Sequence, residues 1–318
     1  MFITSANGSY RASDRTRTRL PLTGKSPFRR APPVPTVAGV TALDPRDLHG
    51  QTAVVTGAAS GIGAAVARRA AALGMRVVLA DRDESALQRT AEELRDTGAT
   101  VLPVVCDVRD ADAVERLAVT AVDEFGPVRL LVGNAGIEST GRLWEIAPDR
   151  FERVFGVNVA GVFHGIGAFV PHMLDTAVPG QEAIVVTVAS IGSVTTMPAQ
   201  GAYVSSKHAA LALTECLALE LAQAQAPIRV AAFLPGPVDT GIYTSADADG
   251  VAGDALRERM RDVLADRGVT PDQAAEALFA GLAAGDFWIF TDETRAAELL
   301  RARADRLQAA VSPVRTLG

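Results

Sequence analysis

Cysteine occurs only twice in this chain of 318 residues, as Cys106 and Cys216. That scarcity argues against a disulfide framework or a cysteine-built metal site and fits a reducing compartment, so a cytoplasmic location is expected. Histidine occurs four times, and His49, His164, His172 and His208 include no pair at zinc-ligand spacing with an acidic partner, so no metal site is expected. No run of 18 consecutive apolar residues is present, and neither a membrane span nor a membrane partner is expected. Lysine is nearly absent. The chain carries 31 Lys+Arg, yet Lys207 is the only lysine after Lys25.

Arginine is a rigid, permanently charged fork, whereas lysine is a compact ammonium with three rotatable donors, so a lone lysine suggests one point charge needed beside one oxygen. Lys207 follows Tyr203 by four residues, which sets ammonium and phenol on one face if the stretch is helical. Only about one free tyrosine in a thousand is phenolate at neutral pH, a deficit of roughly 4 kcal/mol for base chemistry. A fixed positive neighbour shrinks that deficit. Tyr-x-x-x-Lys also arises on ordinary surface helices, so the pair needs company.

Charge is uneven. Residues 1–40 hold seven basic residues against one acidic, a balance of +6; since the whole chain is −6, the remainder carries −12. An acidic body disfavours nucleic acid as a partner. The first 47 residues, rich in Ser, Thr, Pro and Arg without apolar periodicity, read as a disordered basic extension. A cleaved targeting peptide is the alternative, although Pro32-Pro33-Val34-Pro35 would spoil an amphipathic helix.

With 48% apolar residues the rest can form one large core. From about residue 48, short β-branched runs alternate with longer Ala- and Leu-rich stretches of helical period, which signals successive βα units. Strands are predicted at 53–56, 76–80, 102–105, 129–132, 184–188, 229–233 and 287–290. Helices are predicted at 64–73, 84–97, 110–125, 148–174, 202–222 and 271–284. The expected fold is α/β, a single Rossmann-like, doubly wound parallel sheet of about seven strands with helices on both faces. Its domain spans 48–292, followed by a helix and tail at 293–318. Ligands of such sheets sit at the carboxyl ends of the strands.

The first of those ends is Thr56-Gly57-Ala58-Ala59-Ser60-Gly61-Ile62-Gly63. Its glycines permit a tight turn and close approach of a pyrophosphate to backbone N–H groups at a helix start. The spacing G-x-x-x-G-x-G is neither G-x-G-x-x-G nor a phosphate loop, and a plain βα turn would look similar. The second strand ends at Asp81-Arg82. A carboxylate there accepts from both ribose hydroxyls and repels a 2′-phosphate, favouring NAD. Arg82 leaves NADP open, since a guanidinium suits that phosphate.

Taken together, the glycine turn, Asn134-Ala135-Gly136 after the fourth strand, Asn158 in Val157-Asn158-Val159, Ser190 thirteen residues before Tyr203, and Pro235-Gly236 leading to Thr240 resemble the short-chain dehydrogenase/reductase family from about Leu48 to Phe290. The resemblance implies that Tyr203 is the acid/base and that Ser190 holds the substrate oxygen. It implies that Lys207 binds the nicotinamide ribose and lowers the tyrosine pKa, and that Asn158 supports a water-linked proton relay. It further implies that Gly57, Ser60, Gly61, Ile62 and Gly63 cradle the dinucleotide with Asp81 and Arg82, and that Asp107 and Val108 border the adenine. Asn134, Ala135 and Gly136 would line the adenosine side, and the stretch Pro235, Gly236, Val238 and Thr240 would hold the carboxamide. Gly133 stands where many relatives carry another asparagine.

The residue chemistry agrees independently. Hydride transfer needs a rigidly held dinucleotide, one group that moves a proton and another that stabilises charge on oxygen. In plainer readings, Ser190 would be a strand-end hydroxyl bonded to its own turn and Asn158 a buried helix pin. His208 would point about 100° away from Lys207 around a helix.

Residues 241–268, with Tyr243, Asp247, Asp249 and Met260, are expected to form a substrate lid. Ile137, Trp144, Ile191, Val194 and Met197 would supply apolar walls for a secondary alcohol or ketone on a hydrophobic or polycyclic frame. The helices at 148 and 202 are apolar on more than one side, which suggests a homodimer or homotetramer. Three functions follow: an NAD-dependent alcohol dehydrogenase, an NADP-dependent carbonyl reductase, or a nucleotide-binding protein without turnover, which intact Ser190, Tyr203 and Lys207 disfavour.

Overall fold

The computed structural model describes residues 43–177, 181–310 and 312–313. Strands run at β1 (Thr52–Thr56), β2 (Arg76–Asp81), β3 (Val101–Val105), β4 (Val128–Gly133), β5 (Ser139–Gly141), β6 (Ala183–Val188), β7 (Ile228–Leu234), β8 (Asp247–Asp249) and β9 (Trp288–Phe290). Helices are α1 (Gly61–Ala72), α2 (Glu84–Asp96), α3 (Ala111–Phe125), α4 (Pro148–Phe155), α5 (Gly161–Asp175), α6 (Gly201–Gln223), α7 (Gly250–Arg267), α8 (Pro271–Ala284) and α9 (Glu293–Gln308). Seven strands form one parallel sheet in the order β3-β2-β1-β4-β6-β7-β9, the Rossmann-like architecture read from the sequence.

The strands read as unbroken apolar runs because both faces are covered. Ala53 and Val55 of β1, Val77 and Leu79 of β2, and Ile184 and Val186 of β6 face a core closed by α1, α2 and α8. Their neighbours Val54, Val78, Ala80 and Val185 face a second core closed by α3, α5 and α6. Each fully buried Val, Leu or Ile contributes about 1.5–3 kcal/mol. Asp83 fixes the start of α2 by accepting from Ala86 N, and Asp110 that of α3 by accepting from Asp112 N and Ala113 N. The order of strands reverses between β1 and β4, so a crevice opens at their carboxyl ends.

Four features bear on these expectations. The helix anticipated at 148–174 is interrupted by a π-helical turn, Gly156–Ala160, between α4 and α5. That turn carries Asn158, and such insertions frequently mark functional positions. Secondly, the helical stretch Pro148–Asp175 is long and apolar enough by composition to cross a membrane, with a mean hydropathy of 1.5 over its most apolar window. Its apolarity has a local use, because α5 packs on α3 and β4 and supplies Ala168, Phe169 and Met173 to the second core. Thirdly, residues 43–47 are not part of a disordered extension: Leu43 N donates to Ala283 O, Leu43 packs on the first core, and a 3-10 turn spans Pro45–Leu48. Residues 1–42 lie outside the described residues, as do 311 and 314–318 of the C-terminal tail.

The fourth concerns 241–268, expected as a lid. It is folded and strapped down: β8 pairs with β5, Thr140 Oγ1 donates to Gly253 O, and Asp249 and Asp247 form ion pairs with Arg150 and Arg153.

Candidate active site

A cavity of about 580 Å³ follows the carboxyl edge of the sheet from the ends of β2 and β3 to those of β6 and β7. At one end it is lined by Gly57, Ser60, Ile62, Asp81, Arg82, Asp107 and Val108; at the other by Ser190, Ile191, Met197, Gln200, Tyr203 and Tyr243. Asn134, Ala135, Gly136, Lys207, Pro235, Gly236, Val238 and Thr240 line the stretch between.

The glycine turn is held by short contacts that admit no side chain. At Gly63 a Cβ would lie 2.0 Å from Gly57 O and 2.4 Å from Asn134 Nδ2. Gly57 has φ +66 and a Cβ there would meet Asn134 Nδ2 at 2.7 Å. Asn134 explains the crowding, since its Nδ2 donates to Thr56 O and Gly57 O. Thr56 Oγ1 in return accepts from the backbone N–H of Asn134 and Ala135. Gly61 and Gly63 therefore serve close packing at the start of α1 and do not themselves face the cavity, while Thr240 packs over Gly61. Thr56 was not singled out in the sequence, and its signal is only that a strand-end threonine precedes the turn.

Asp81 is fixed by two backbone donors, Ala59 N to Oδ2 at 3.1 Å and Asp83 N to Oδ1 at 3.0 Å. Its neighbour Asp107 is held below the usual carboxylate range by hydrogen bonds from the Arg109 side chain. The cradle thus fits a dinucleotide: backbone exposed at a helix N-terminus, a carboxylate at the end of β2, and a continuous groove between them.

At the reacting end, Ser190 Oγ accepts from Gly192 N at 3.0 Å, which leaves its O–H to donate. Lys207 is 5% exposed, and its Nζ donates to Val188 O at 2.8 Å and lies 5.8 Å from the centroid of the Tyr203 ring. Gly136 leaves room for this ammonium, because a Cβ there would lie 3.3 Å from Nζ. Burial lowers the lysine to about 8, opposed by the charge of Glu138. Lysine and tyrosine meet as their spacing implied, but the expected depression of the phenol is not found. The Tyr203 hydroxyl stands above its ordinary value because burial disfavours phenolate and the Glu138 charge adds to this, while a hydrogen bond with Ser190 opposes them.

Asn158 is buried behind the cavity and does not line it. Its Oδ1 accepts from Ile137 N, and its Nδ2 donates to Ile137 O and Ser206 Oγ, so it ties the chain after β4 to α6. Of the anticipated apolar walls, Ile137, Ile191 and Met197 line the cavity. Trp144 is instead 81% exposed, under the Arg142 guanidinium, and Val194 packs against the small core of Ala189, Leu211, Ala232 and Leu234. His208 turns away, Nε2 accepting from Arg303 Nη1 and Nδ1 bonded to Val204 O. Glu138 and Gln200 were missed by the sequence reading, being common residue types outside any recognisable pattern.

Residues 51–250 match the pattern of the short chain dehydrogenase family. The chain belongs to the short-chain dehydrogenase/reductase family. It is 36% identical over 247 residues to a 1-deoxy-11-beta-hydroxypentalenate dehydrogenase of Streptomyces avermitilis, covering 77% of this chain and 86% of that protein. A short-chain dehydrogenase/reductase from Burkholderia phymatum, solved in complex with NAD, superposes with a TM-score of 0.80 at 35% identity over 86% of this chain and 99% of its own. An alcohol dehydrogenase from the archaeon Thermococcus sibiricus, complexed with 5-hydroxy-NADP, gives 0.62 at 30% identity over 73% and 90%. The protein is thus an oxidoreductase acting on CH–OH groups.

Proposed function

We propose that the protein is an NAD-dependent dehydrogenase of a secondary alcohol carried on a hydrophobic, polycyclic frame. The observation that carries this reading is the convergence of Ser190, Tyr203 and Lys207 on the same cavity as the glycine turn and Asp81. Gly57, Ser60 and Ile62 would hold the pyrophosphate, Asp81 the adenosine ribose, and Pro235 to Thr240 the nicotinamide end. The bound nicotinamide supplies the hydride acceptor and, when oxidised, a positive charge.

Tyr203, once it has lost its own proton, would take the alcohol proton as phenolate, and the Ser190 O–H donates to the substrate oxygen. Lys207, with one donor committed to Val188 O, has two left for ribose hydroxyls and keeps a positive charge near the phenol. Asn158 holds the Ile137 backbone in place beneath them. Ile137, Ile191, Met197, Ile242, Met260 and Leu264 supply apolar wall for the frame, in keeping with the pentalenate dehydrogenase likeness. Arg82, which also lines the cavity, favours a second reading as an NADP-dependent carbonyl reductase. Exposed Phe163 on α5 and Leu219 on α6 support the reading of a homo-oligomer.

A panel of cyclic and polycyclic secondary alcohols, offered with NAD and with NADP and followed by nicotinamide absorbance, tests the assignment. NAD reduction at the higher kcat/KM is expected. Turnover confined to NADPH and ketones would replace it with the second reading.

A further inference from the structure

Glu138 has no part in the proton and hydride chemistry above, yet it is a carboxyl only 3% exposed beside the reacting groups. Its Oε1 accepts from Ser139 N at 3.1 Å and its Oε2 from Gln200 Nε2 at 3.1 Å. Gln200 Nε2 donates also to the Tyr243 hydroxyl oxygen at 2.5 Å, and the Tyr243 hydroxyl in turn bonds the Glu138 carboxyl. Gln200 and Tyr243 are 3% and 7% exposed. Three remote stretches therefore meet in one closed triangle: the chain leaving β4, the residue before α6, and the first turn of the folded lid.

Gln200 and Tyr243 line the substrate end of the cavity among Met197, Ile242 and Met260, whereas Glu138 stands behind them. Above about pH 8, where the Glu138 carboxyl has lost its proton, counting protons shows what they present to a ligand. Both amide hydrogens of Gln200 are committed, one to Glu138 and one to Tyr243, and the single Tyr243 proton goes to Glu138. What remains for the cavity is acceptor capacity, on the phenol oxygen and on Gln200 Oε1. Covering a buried acceptor with hydrocarbon costs about 1–3 kcal/mol, so such a wall selects a ligand that brings a donor.

We propose that Gln200 and Tyr243, anchored on Glu138, form a second polar subsite that accepts a hydrogen bond from a substrate hydroxyl other than the one being oxidised. This rests on the dehydrogenase reading and narrows it: the substrate is a secondary alcohol with a further hydroxyl on its frame. Gln200 and Tyr243 line the same end of the cavity as Ser190 and Tyr203, which places the subsite close to the reacting oxygen.

Cyclohexanol, the 1,3- and 1,4-cyclohexanediols and 4-aminocyclohexanol, titrated calorimetrically at about pH 9, where the Glu138 carboxyl is ionised, into the full chain saturated with NADH and then assayed for oxidation by NAD, provide the test. At least one diol should bind roughly tenfold or more tighter than cyclohexanol. Tyr243→Phe should bring that ratio close to one. If Tyr243→Phe does not fold, the ratio in the unaltered protein decides. Equal binding of cyclohexanol and every diol, preference for the amino alcohol alone, or a diol preference that survives Tyr243→Phe would each overturn the subsite. Equal oxidation of cyclohexanol and the diols would leave the dehydrogenase standing without the subsite, while tight diol binding with no oxidation of any alcohol would do the reverse.

Discussion

At the glycine turn the cavity wall is largely backbone, drawn tight by Asn134 and Thr56, whereas at the substrate end it is largely side chain, with Glu138, Gln200 and Tyr243 closing on one another. Backbone is chemically the same in every protein, so the first wall can only recognise something common to many reactions, a phosphate or a ribose. Side chains differ, so the second wall carries what is particular to this chain. The two also differ in tolerance. The first fails when an atom is added, the second when a charge or a hydrogen bond is altered.

The largest effect that would break this contrast belongs to Gly63→Ala. Its methyl would overlap Gly57 O and Asn134 Nδ2, two groups that cannot swing aside, so a loss of about 3 kcal/mol or more is expected together with NADH binding. Thermal unfolding and fluorescence titration with NADH would show both. Gly165→Ala in α5, where nothing lies within 4 Å, is the control and should change stability by no more than about 1 kcal/mol. Equal effects of the two would mean that the turn is not close-packed.

A smaller effect is expected of Asp81→Asn, which keeps an acceptor for the backbone donors but removes the charge. The NAD to NADP ratio of kcat/KM should fall roughly ten- to a hundredfold, because Arg82 is left to face the 2′-phosphate unopposed. An unchanged ratio would move cofactor choice away from the end of β2.

The smallest concerns Glu138, whose burial pushes its carboxyl from 4.5 to about 8. The folded protein keeps a proton that the unfolded chain has already released between those values. Stability from this group is therefore whole below about pH 4.5, declines as pH rises to about 8 and is level above. Glu138→Gln removes that slope. Denaturant titrations at pH 5 and pH 8 should show the unaltered protein losing at least about 1 kcal/mol more than the variant. Parallel losses would mean that the carboxyl is ionised throughout.

The same contrast explains what could be read from the sequence. Gly57 to Gly63, Asp81 and the Tyr203-to-Lys207 spacing are local patterns, and each was legible because its geometry is settled within a few residues of chain. Unbroken apolar, β-branched runs marked β1, β2, β6 and β7 for the same reason. The substrate end was not legible, because Glu138 bonds Gln200 across 62 residues and Gln200 bonds Tyr243 across 43. Trp144 was misplaced because an aromatic residue near a site is as easily held outside, here by Arg142, as turned inward. The π-helical turn at Asn158 was hidden in a stretch whose apolar period continues through it. Even the Tyr203–Lys207 pair was legible only in position. Its electrostatics depend on burial and on Glu138, which no spacing records.

The account stands on Tyr203 as the group that exchanges a proton with the substrate oxygen. Replacing it by Phe removes one oxygen and leaves the ring, so the most direct measurement sets turnover of the best alcohol beside NADH affinity in that variant. The expected result is a fall in kcat of about a hundredfold to ten-thousandfold with NADH binding retained. Turnover within a few-fold of the unaltered protein would contradict the account, since the proton would then be leaving by another route.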